Sequence, residues 1–264
     1  YITVIDEGEY MMHYFATADT DIGNTKSTNQ DSLLIKHASY CGGEVMLAVI
    51  CDGMGGLSKG ELASATVIKE FSKWFEEELP YELEKLDMNV IGEKWSLLLK
   101  ELNIRIIEYG QLNHISLGTT FTGILMVNDK YVIGHVGDTR VYFIGNGMMQ
   151  LTEDQTFVAR EIKKGTMTPE QAAKDKRRNM LLQCVGASEN LEPEIIVGGC
   201  MRGTYMICSD GFRHEITEQE MYNALNPAVL VDECIMHNNS RQLISLVKQR
   251  QEKDNISVIL IRTN

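Results

Sequence analysis

A single α+β domain is what the sequence predicts, and three observations carry that prediction. Short apolar runs of β type stand towards both ends of the chain, two stretches with helical period occupy its middle, and no Pro/Gly/Ser linker, repeat or low-complexity tract divides them. The 264 residues are 44% apolar and 23% charged, with only four prolines, which suffices for a sizeable core and excludes disorder over most of the chain.

The β-type runs 13–18, 32–37 and 44–51 come first, the last so rich in Val, Ile, Leu and Met that it reads as buried on both faces. From Ser58 the period becomes helical. Ser58 and Glu61 form a capping box, Ala63, Val67, Phe71 and Phe75 recur every four residues, and Pro80 marks the end. A second helix is expected over 94–109, with Trp95, Leu98, Leu102 and Ile106 on one face. Strands resume at 119–127, 131–136 and 140–144; the turns Asn128-Asp129 and Gly145-Asn146-Gly147 make them read as an antiparallel meander. Segment 153–188 is charged, with Lys174, Lys176, Arg177 and Arg178 clustered and a second N-terminal box at Thr168-Pro169-Glu170-Gln171. It reads as a helical insertion with an exposed basic face. Two strands, 194–197 and 204–208, lead to helices beginning near Thr217 and Ser240, and a strand at 256–262 closes the chain.

Composition narrows the function. Twenty-five Lys plus Arg against 37 Asp plus Glu leave a net charge of −12, which argues against a broad grip on nucleic acid and for an acidic, cation-binding site. No apolar run approaches the ~18 residues of a membrane span, and the acidic N-terminal stretch is unlike a signal peptide. A soluble cytoplasmic protein is expected, with residues 1–11 as a leader or disordered segment and Met11 or Met12 as the start. The six cysteines show no Cys-x-x-Cys spacing and several lie inside apolar runs, as buried free thiols in a reducing compartment would.

Five aspartates stand at the edges of strand-like runs: Asp31, Asp52, Asp138, Asp210 and Asp254. Any one of them alone is most simply a turn residue or a helix cap. Together they are a way for rigid strands to aim carboxylates at one point, where they repel unless hard divalent cations sit between them. In Asp52-Gly53-Met54-Gly55-Gly56 the glycines let the backbone turn sharply and offer a carbonyl oxygen to an ion.

The motifs Thr20-Asp21-Ile22-Gly23 through Asn29-Gln30-Asp31, Asp52-Gly53-Met54-Gly55-Gly56, Gly118-Thr119-Thr120, Val136-Gly137-Asp138-Thr139-Arg140, Leu151-Thr152, Ser209-Asp210-Gly211 and Asp254-Asn255-Ile256-Ser257-Val258 run in a specific order. In that order they resemble the PPM family of metal-dependent serine/threonine protein phosphatases, in its compact bacterial branch, from about Tyr14 to Thr263. The resemblance implies a four-layer α/β/β/α sandwich, two antiparallel sheets flanked by helices, formed by residues 12–264. It also implies two Mn2+ or Mg2+ ions. Asp52 would bridge them, Gly53 would give its carbonyl to one, Asp210 and Asp254 would hold the other, and Asp31 would stand behind these ligands. Asp138 with Asp210 matches a third, weaker ion site of bacterial members. The implied reaction is direct attack on phosphoserine or phosphothreonine by a hydroxide bridging the two ions. The stretch around Arg177-Arg178-Asn179 and Leu181-Leu182, within 153–188, resembles the family's flap.

Three departures stand out. Gln30 replaces the usual Glu, Lys26 stands where the family has a phosphate-binding Arg, and Phe212-Arg213-His214 after Ser209-Asp210-Gly211 is atypical. No histidine is assigned to catalysis, since Met54 stands where many eukaryotic relatives have one; His135 reads as a packed strand residue and His214 as a rim residue. The implied partners are phosphoproteins, substrates of a cognate serine/threonine kinase, met by a monomer with no nucleic acid or membrane partner. The competing readings are a pseudophosphatase acting as a binding module, and a phosphatase specialised for an anti-sigma-factor antagonist.

Overall fold

The computed structural model describes residues 12–54 and 59–264. The leader expected over 1–11, the Gly55-Gly56 pair and Ser58 of the expected capping box lie outside the described residues.

The strands are β1 (Tyr14–Asp21), β2 (Ser32–Tyr40), β3 (Gly43–Cys51), β4 (Phe121–Val127), β5 (Lys130–Val136), β6 (Arg140–Ile144), β7 (Met148–Gln150), β8 (Glu194–Gly199), β9 (Gly203–Cys208) and β10 (Ile256–Thr263). They form two five-stranded sheets of order β1-β10-β9-β6-β7 and β2-β3-β4-β5-β8, with antiparallel pairing throughout. The helices are α1 (Gly60–Glu77), α2 (Leu79–Glu82), α3 (Met88–Asn113), α4 (Phe157–Lys163), α5 (Pro169–Ala172), α6 (Asp210–Arg213), α7 (Glu218–Leu225) and α8 (Glu233–Gln249).

Period-two alternation sends one set of side chains from each sheet into the space between the two. Met46, Ala48, Ile50, Ile124, Val141, Tyr205, Ile207, Ile259 and Ile261 form that central layer of core. The opposite face of the β2–β8 sheet is covered by α1 and α3, whose buried stripes (Ala63, Val67, Phe71; Ile91, Trp95, Leu99, Leu102, Ile106) recur every three or four residues. Phe71 locks them together, 5.2 Å from Trp95 and 4.3 Å from Phe121 between ring centroids. The outer face of the other sheet is covered by α7 and α8 through Met221, Leu225, Met236, Leu243 and Val247. Each such side chain contributes roughly 1.5–3 kcal/mol on burial. The result is the four-layer α/β/β/α sandwich.

Several expectations change in detail. Pro80 opens α2 in its first turn, where no N–H is needed, besides closing α1. In α3 the stripe runs through Leu99, leaving Leu98 half-buried at its margin. Helix α8 begins at Glu233, well before Ser240, because Asp232 caps it by accepting from the Ile235 N–H at 2.8 Å. The box at Thr168 and Gln171 is present.

The expected meander is the real correction. Strands β4 and β5 form a hairpin in one sheet, but β6 belongs to the other sheet, beside β9. The chain crosses between sheets at Gly137, whose φ of +110° favours glycine and where a Cβ would lie 2.6 Å from Thr120 Cγ2. Asp138 therefore sits where the two sheets meet.

Candidate metal centre

The five strand-edge aspartates come from both sheets. Asp31 enters β2 and Asp52 leaves β3 in one sheet; Asp210 leaves β9 and Asp254 precedes β10 in the other; Asp138 lies on the crossing. Neighbouring strands fix them in pairs. Ser32 lies opposite Cys51 at the β2–β3 end, and Ser209 and Ser257 are tied by two hydrogen bonds of 3.0 Å at the β9–β10 end.

Local hydrogen bonds hold the backbone under each carboxylate. The Asp52 N–H donates to Thr120 Oγ1 at 2.9 Å, and its carbonyl accepts from the Thr120 N–H at 2.8 Å and the Thr119 hydroxyl at 3.0 Å. Gly53 donates to the Gln30 carbonyl at 3.2 Å, and a Cβ there would lie 2.5 Å from that same oxygen, so only glycine fits. Asn255 is buried and ties the preceding loop to β10. Its side-chain N–H groups donate to the carbonyls of Ile22 (3.0 Å) and Thr28 (3.3 Å), and its Oδ1 accepts from the Gln30 N–H at 2.9 Å.

Electrostatically the centre is strained by like charge. Asp31, Asp138 and Asp210 are buried, while Asp52 and Asp254 are half-buried. Desolvation pushes the Asp31 carboxyl up to about 7; the Ser257 hydroxyl, donating at 2.6 Å, holds it back, and Asp210 and Asp254 raise it further. Asp52 is raised well above the carboxylate range by desolvation and then by Asp31, Asp210, Asp138 and Asp254. Asp31 Oδ1 and Asp210 Oδ1 are buried and accept no hydrogen bond. A cluster that places two orphan anionic oxygens among raised carboxyls has the oxygen donors and the excess negative charge that a hard divalent ion requires.

Among the described residues no three acid, imidazole or thiol side chains stand, as placed, where they could hold an ion by themselves. Magnesium-like ions suit such a site, since they keep several waters and take only one or two carboxylates each.

Lys26 reaches the centre, its Nζ 2.7 Å from Asp254 Oδ1. Burial alone would lower its pKa, but the Asp254 hydrogen bond and the charges of Asp254, Asp52 and Asp210 raise it, so it stays cationic. Gln30 Nε2 donates to Glu61 Oε2 at 3.3 Å, so a carboxylate of α1 stands beside the residue that lacks one. His135 is buried between the Thr122 hydroxyl (2.9 Å) and the Glu153 carbonyl (3.0 Å), and desolvation pushes it down to about 4; it is a neutral packed residue, as the sequence suggests.

The Asp138 end is different. Arg140 grips Asp154 with two bonds of 2.7 Å. Arg213 donates through Nη2 to the Asp138 carbonyl at 3.1 Å and lies 3.9 Å from Asp138 Oδ2 and 3.6 Å from Asp154 Oδ2. His214 lies 3.6 Å from Asp210 Oδ2 and 3.5 Å from Glu252 Oε2. Sequence reasoning passed over Asn255, Asp154 and Glu252, although the Asn directly after Asp254 was the available signal for the first.

Segment 153–188 is rooted beside the centre. Gln155 exchanges hydrogen bonds with Gly137 (2.7 and 3.0 Å), and Val185 bridges Thr119. Its basic cluster is partly committed. Arg177 pairs with Asp175 at 2.8 Å and lies over the Phe157 ring at 4.0 Å, leaving Lys174 and Lys176 as exposed cations.

This fold and this row of carboxylates define a class of phosphate-ester hydrolases, and comparison with known proteins places the chain within it. The Protein phosphatase 2C profile matches residues 23–230. A putative protein phosphatase 2C-type protein of Streptococcus pyogenes is 29% identical over 248 residues, 92% of this chain and 94% of that protein. The structure of the serine/threonine phosphatase Stp1 from Staphylococcus aureus superposes with a TM-score of 0.80 at 29% identity, covering 94% of each chain. The catalytic domain of the serine/threonine protein phosphatase PstP, in complex with two manganese ions, superposes with a TM-score of 0.76 at 25% identity over 96% of this chain and 99% of that one. The chain belongs to the protein phosphatase 2C family and is an enzyme of that family. This is the family that the order of its motifs resembles.

Proposed function

We propose that the chain removes phosphate from phosphoserine and phosphothreonine in proteins, with two divalent ions held by Asp52, the Gly53 carbonyl, Asp210 and Asp254. The observation that carries this reading is the approach of Asp31, Asp210 and Asp254 to Asp52 from two sheets, near enough for each to raise its carboxyl, with two orphan buried oxygens among them. When bound, the ions supply Lewis acidity, acidifying water into a nucleophile at neutral pH and neutralising phosphate charge. The two manganese ions of PstP support manganese as the working metal here.

The chain's own groups do the rest. Asp31, bonded to Ser257 and within reach of Asp52, orients the Asp52 carboxylate. Lys26 offers a directional point charge for a phosphate oxygen once Asp254 is otherwise engaged. Segment 153–188, rooted beside Asp138 and Thr119, borders the substrate, and Lys174 and Lys176 favour acidic phosphopeptides in an otherwise acidic protein. Residues 12–264 act as one phosphatase domain. The six unpaired cysteines support a reducing, cytoplasmic setting.

Hydrolysis of p-nitrophenyl phosphate with added manganese, abolished by a chelator and restored by the ion, is the expected result. No hydrolysis by well-folded, manganese-loaded protein would leave the pseudophosphatase reading in its place.

A further inference from the structure

The third, peripheral ion implied by the family motifs would lie between Asp138 and Asp210, and there the residues do not fit it. We infer that Arg213 and His214 of this chain serve as built-in cationic and steric replacements for that ion, so that the enzyme operates with two ions. This rests on the two-ion reading above and concerns only the far side of the Asp210 carboxylate.

The geometry of α6 carries the argument. Arg213 and His214 stand three and four residues after Asp210, so the helical turn that presents the carboxylate also presents the two side chains facing it. The Arg213 side chain is 13% exposed and its Nη2 is fixed on the Asp138 carbonyl at 3.1 Å, with Asp138 Oδ2 at 3.9 Å. It cannot swing aside cheaply. Asp154 Oδ2 lies at 3.6 Å on its other flank, and Asp154 is itself clamped by Arg140 with two bonds of 2.7 Å.

Across the gap, His214 fills the space beside Asp210 Oδ2, braced by Glu252, whose carboxylate also accepts from the Lys253 and Asp254 N–H groups at 2.6 and 2.9 Å. Each carboxylate of the expected site is therefore faced by a nitrogen side chain of the same short helix.

A guanidinium never loses its proton in a protein, so its charge at this point is permanent. A dication placed between Asp138 and Asp210 would meet that fixed charge at close range in a poorly solvated setting, where Coulomb repulsion is only weakly screened. The same charge already does for Asp138 what an ion would do. The Arg213 Nη2 lies 3.9 Å from Asp138 Oδ2 and bonds the Asp138 carbonyl, so a positive charge already faces this carboxylate. Asp210 keeps its other oxygen, Oδ1, without a partner, so its part in the core pair is untouched.

Manganese binding to the whole chain, read by the EPR signal of the free ion up to low-millimolar concentration, tests this without any assay of turnover. Wild type and Asp138→Asn are expected to saturate at two ions per chain. The double variant Arg213→Met, His214→Asn, which keeps most of the packing and removes both the guanidinium and the imidazole, is expected to gain a third site. Its affinity for that ion should exceed anything seen in wild type by at least about tenfold. Three ions on wild type, or two on both wild type and a folded double variant, would overturn the inference. Where the double variant fails to fold, Asp138→Asn decides: loss of one ion relative to wild type also overturns it. Binding of no ion by wild type would be a different failure, removing the core centre itself and this inference with it.

Discussion

Two ends of one row of carboxylates have been resolved in opposite ways. At the Asp138–Asp154 end the chain supplies its own cations: Arg140 chelates Asp154, and Arg213 lies between Asp154 and Asp138. At the Asp31–Asp52–Asp210 end buried oxygens are left without partners, and the Asp31 and Asp52 carboxyls are driven upward by burial and then by their neighbours' charge. The chemistry of the side chains is the same at both ends. What differs is whether the fold has paired them, and the comparison teaches that a protein marks a foreign cation's place by leaving buried carboxylate oxygens without a partner.

The largest effect is expected where a paired carboxylate is stripped of its partner. Arg140→Met leaves the half-buried Asp154 with Arg213 at 3.6 Å and the Gln150 amide at 3.5 Å, and should destabilise the fold by about 3 kcal/mol, the upper end for hydrogen bonds to a charged group. Its sign with pH follows from Asp154, whose carboxyl desolvation would raise but which Arg140 and Arg213 hold below the usual range. The pair's contribution is present above the unfolded carboxylate value near ~4 and is lost as pH falls through the depressed folded value. Urea melts at neutral pH and in acid should therefore show the difference between variant and wild type shrinking on acidification. A difference that grows in acid would contradict the assignment.

At the unpaired end the same surgery should spare stability and abolish activity. Asp52→Asn removes one anionic oxygen from the core centre, and turnover should fall at least ~100-fold, by analogy with the loss of one key electrostatic group. Thermal melting in chelator should show the variant as stable as wild type or more so, because a crowded charge has been removed. Full turnover in a folded Asp52→Asn protein would dissolve the contrast between the two ends.

The smallest effect belongs to Lys26, the cation that touches the unpaired end. Because its side chain is 28% exposed, Lys26→Ala should weaken phosphopeptide binding by about 1.5 kcal/mol, the low end for a hydrogen bond to a charged group. Lys26→Arg should restore kcat/KM or exceed it. Manganese affinity should not fall in Lys26→Ala, because the lysine pairs with Asp254 instead of supporting it. Steady-state kinetics on a phosphothreonine peptide beside a metal titration would check all three variants. An Ala variant kinetically identical to wild type would make Lys26 a mere lid on Asp254.

Much of this was legible in the sequence, for identifiable reasons. Asp31, Asp52, Asp210 and Asp254 stand out because each ends or opens an apolar run, and a strand end is visible as a change of period. Strand pairing was not visible in the same way. The alternation in 131–136 and 140–144 is the same whether the two strands pair or part, and the sheet change at Gly137 depends on one backbone angle. Nor was the fate of the basic cluster legible, because Arg177 settles on Phe157 and Asp175 only once α4 and α5 are folded against each other. The early start of α8 was signalled by Asp232, but its first turns are polar and hide the period.

The pairing of β1 with β10 sets an order on synthesis. Tyr14 lies opposite Thr263 and Asp21 opposite Ile256, so β1 finds its partner only when β10, far later in the chain, has left the ribosome. The loop carrying Lys26 and Gln30 depends on Asn255 in the same late segment. A nascent chain can therefore assemble the β2–β5 layers early, but it holds no complete carboxylate cluster and exposes the unpaired edges of β1 and β9 until β10 has been made. Dephosphorylation cannot begin before that strand is in place, and a chain lacking it presents open sheet edges to any neighbour.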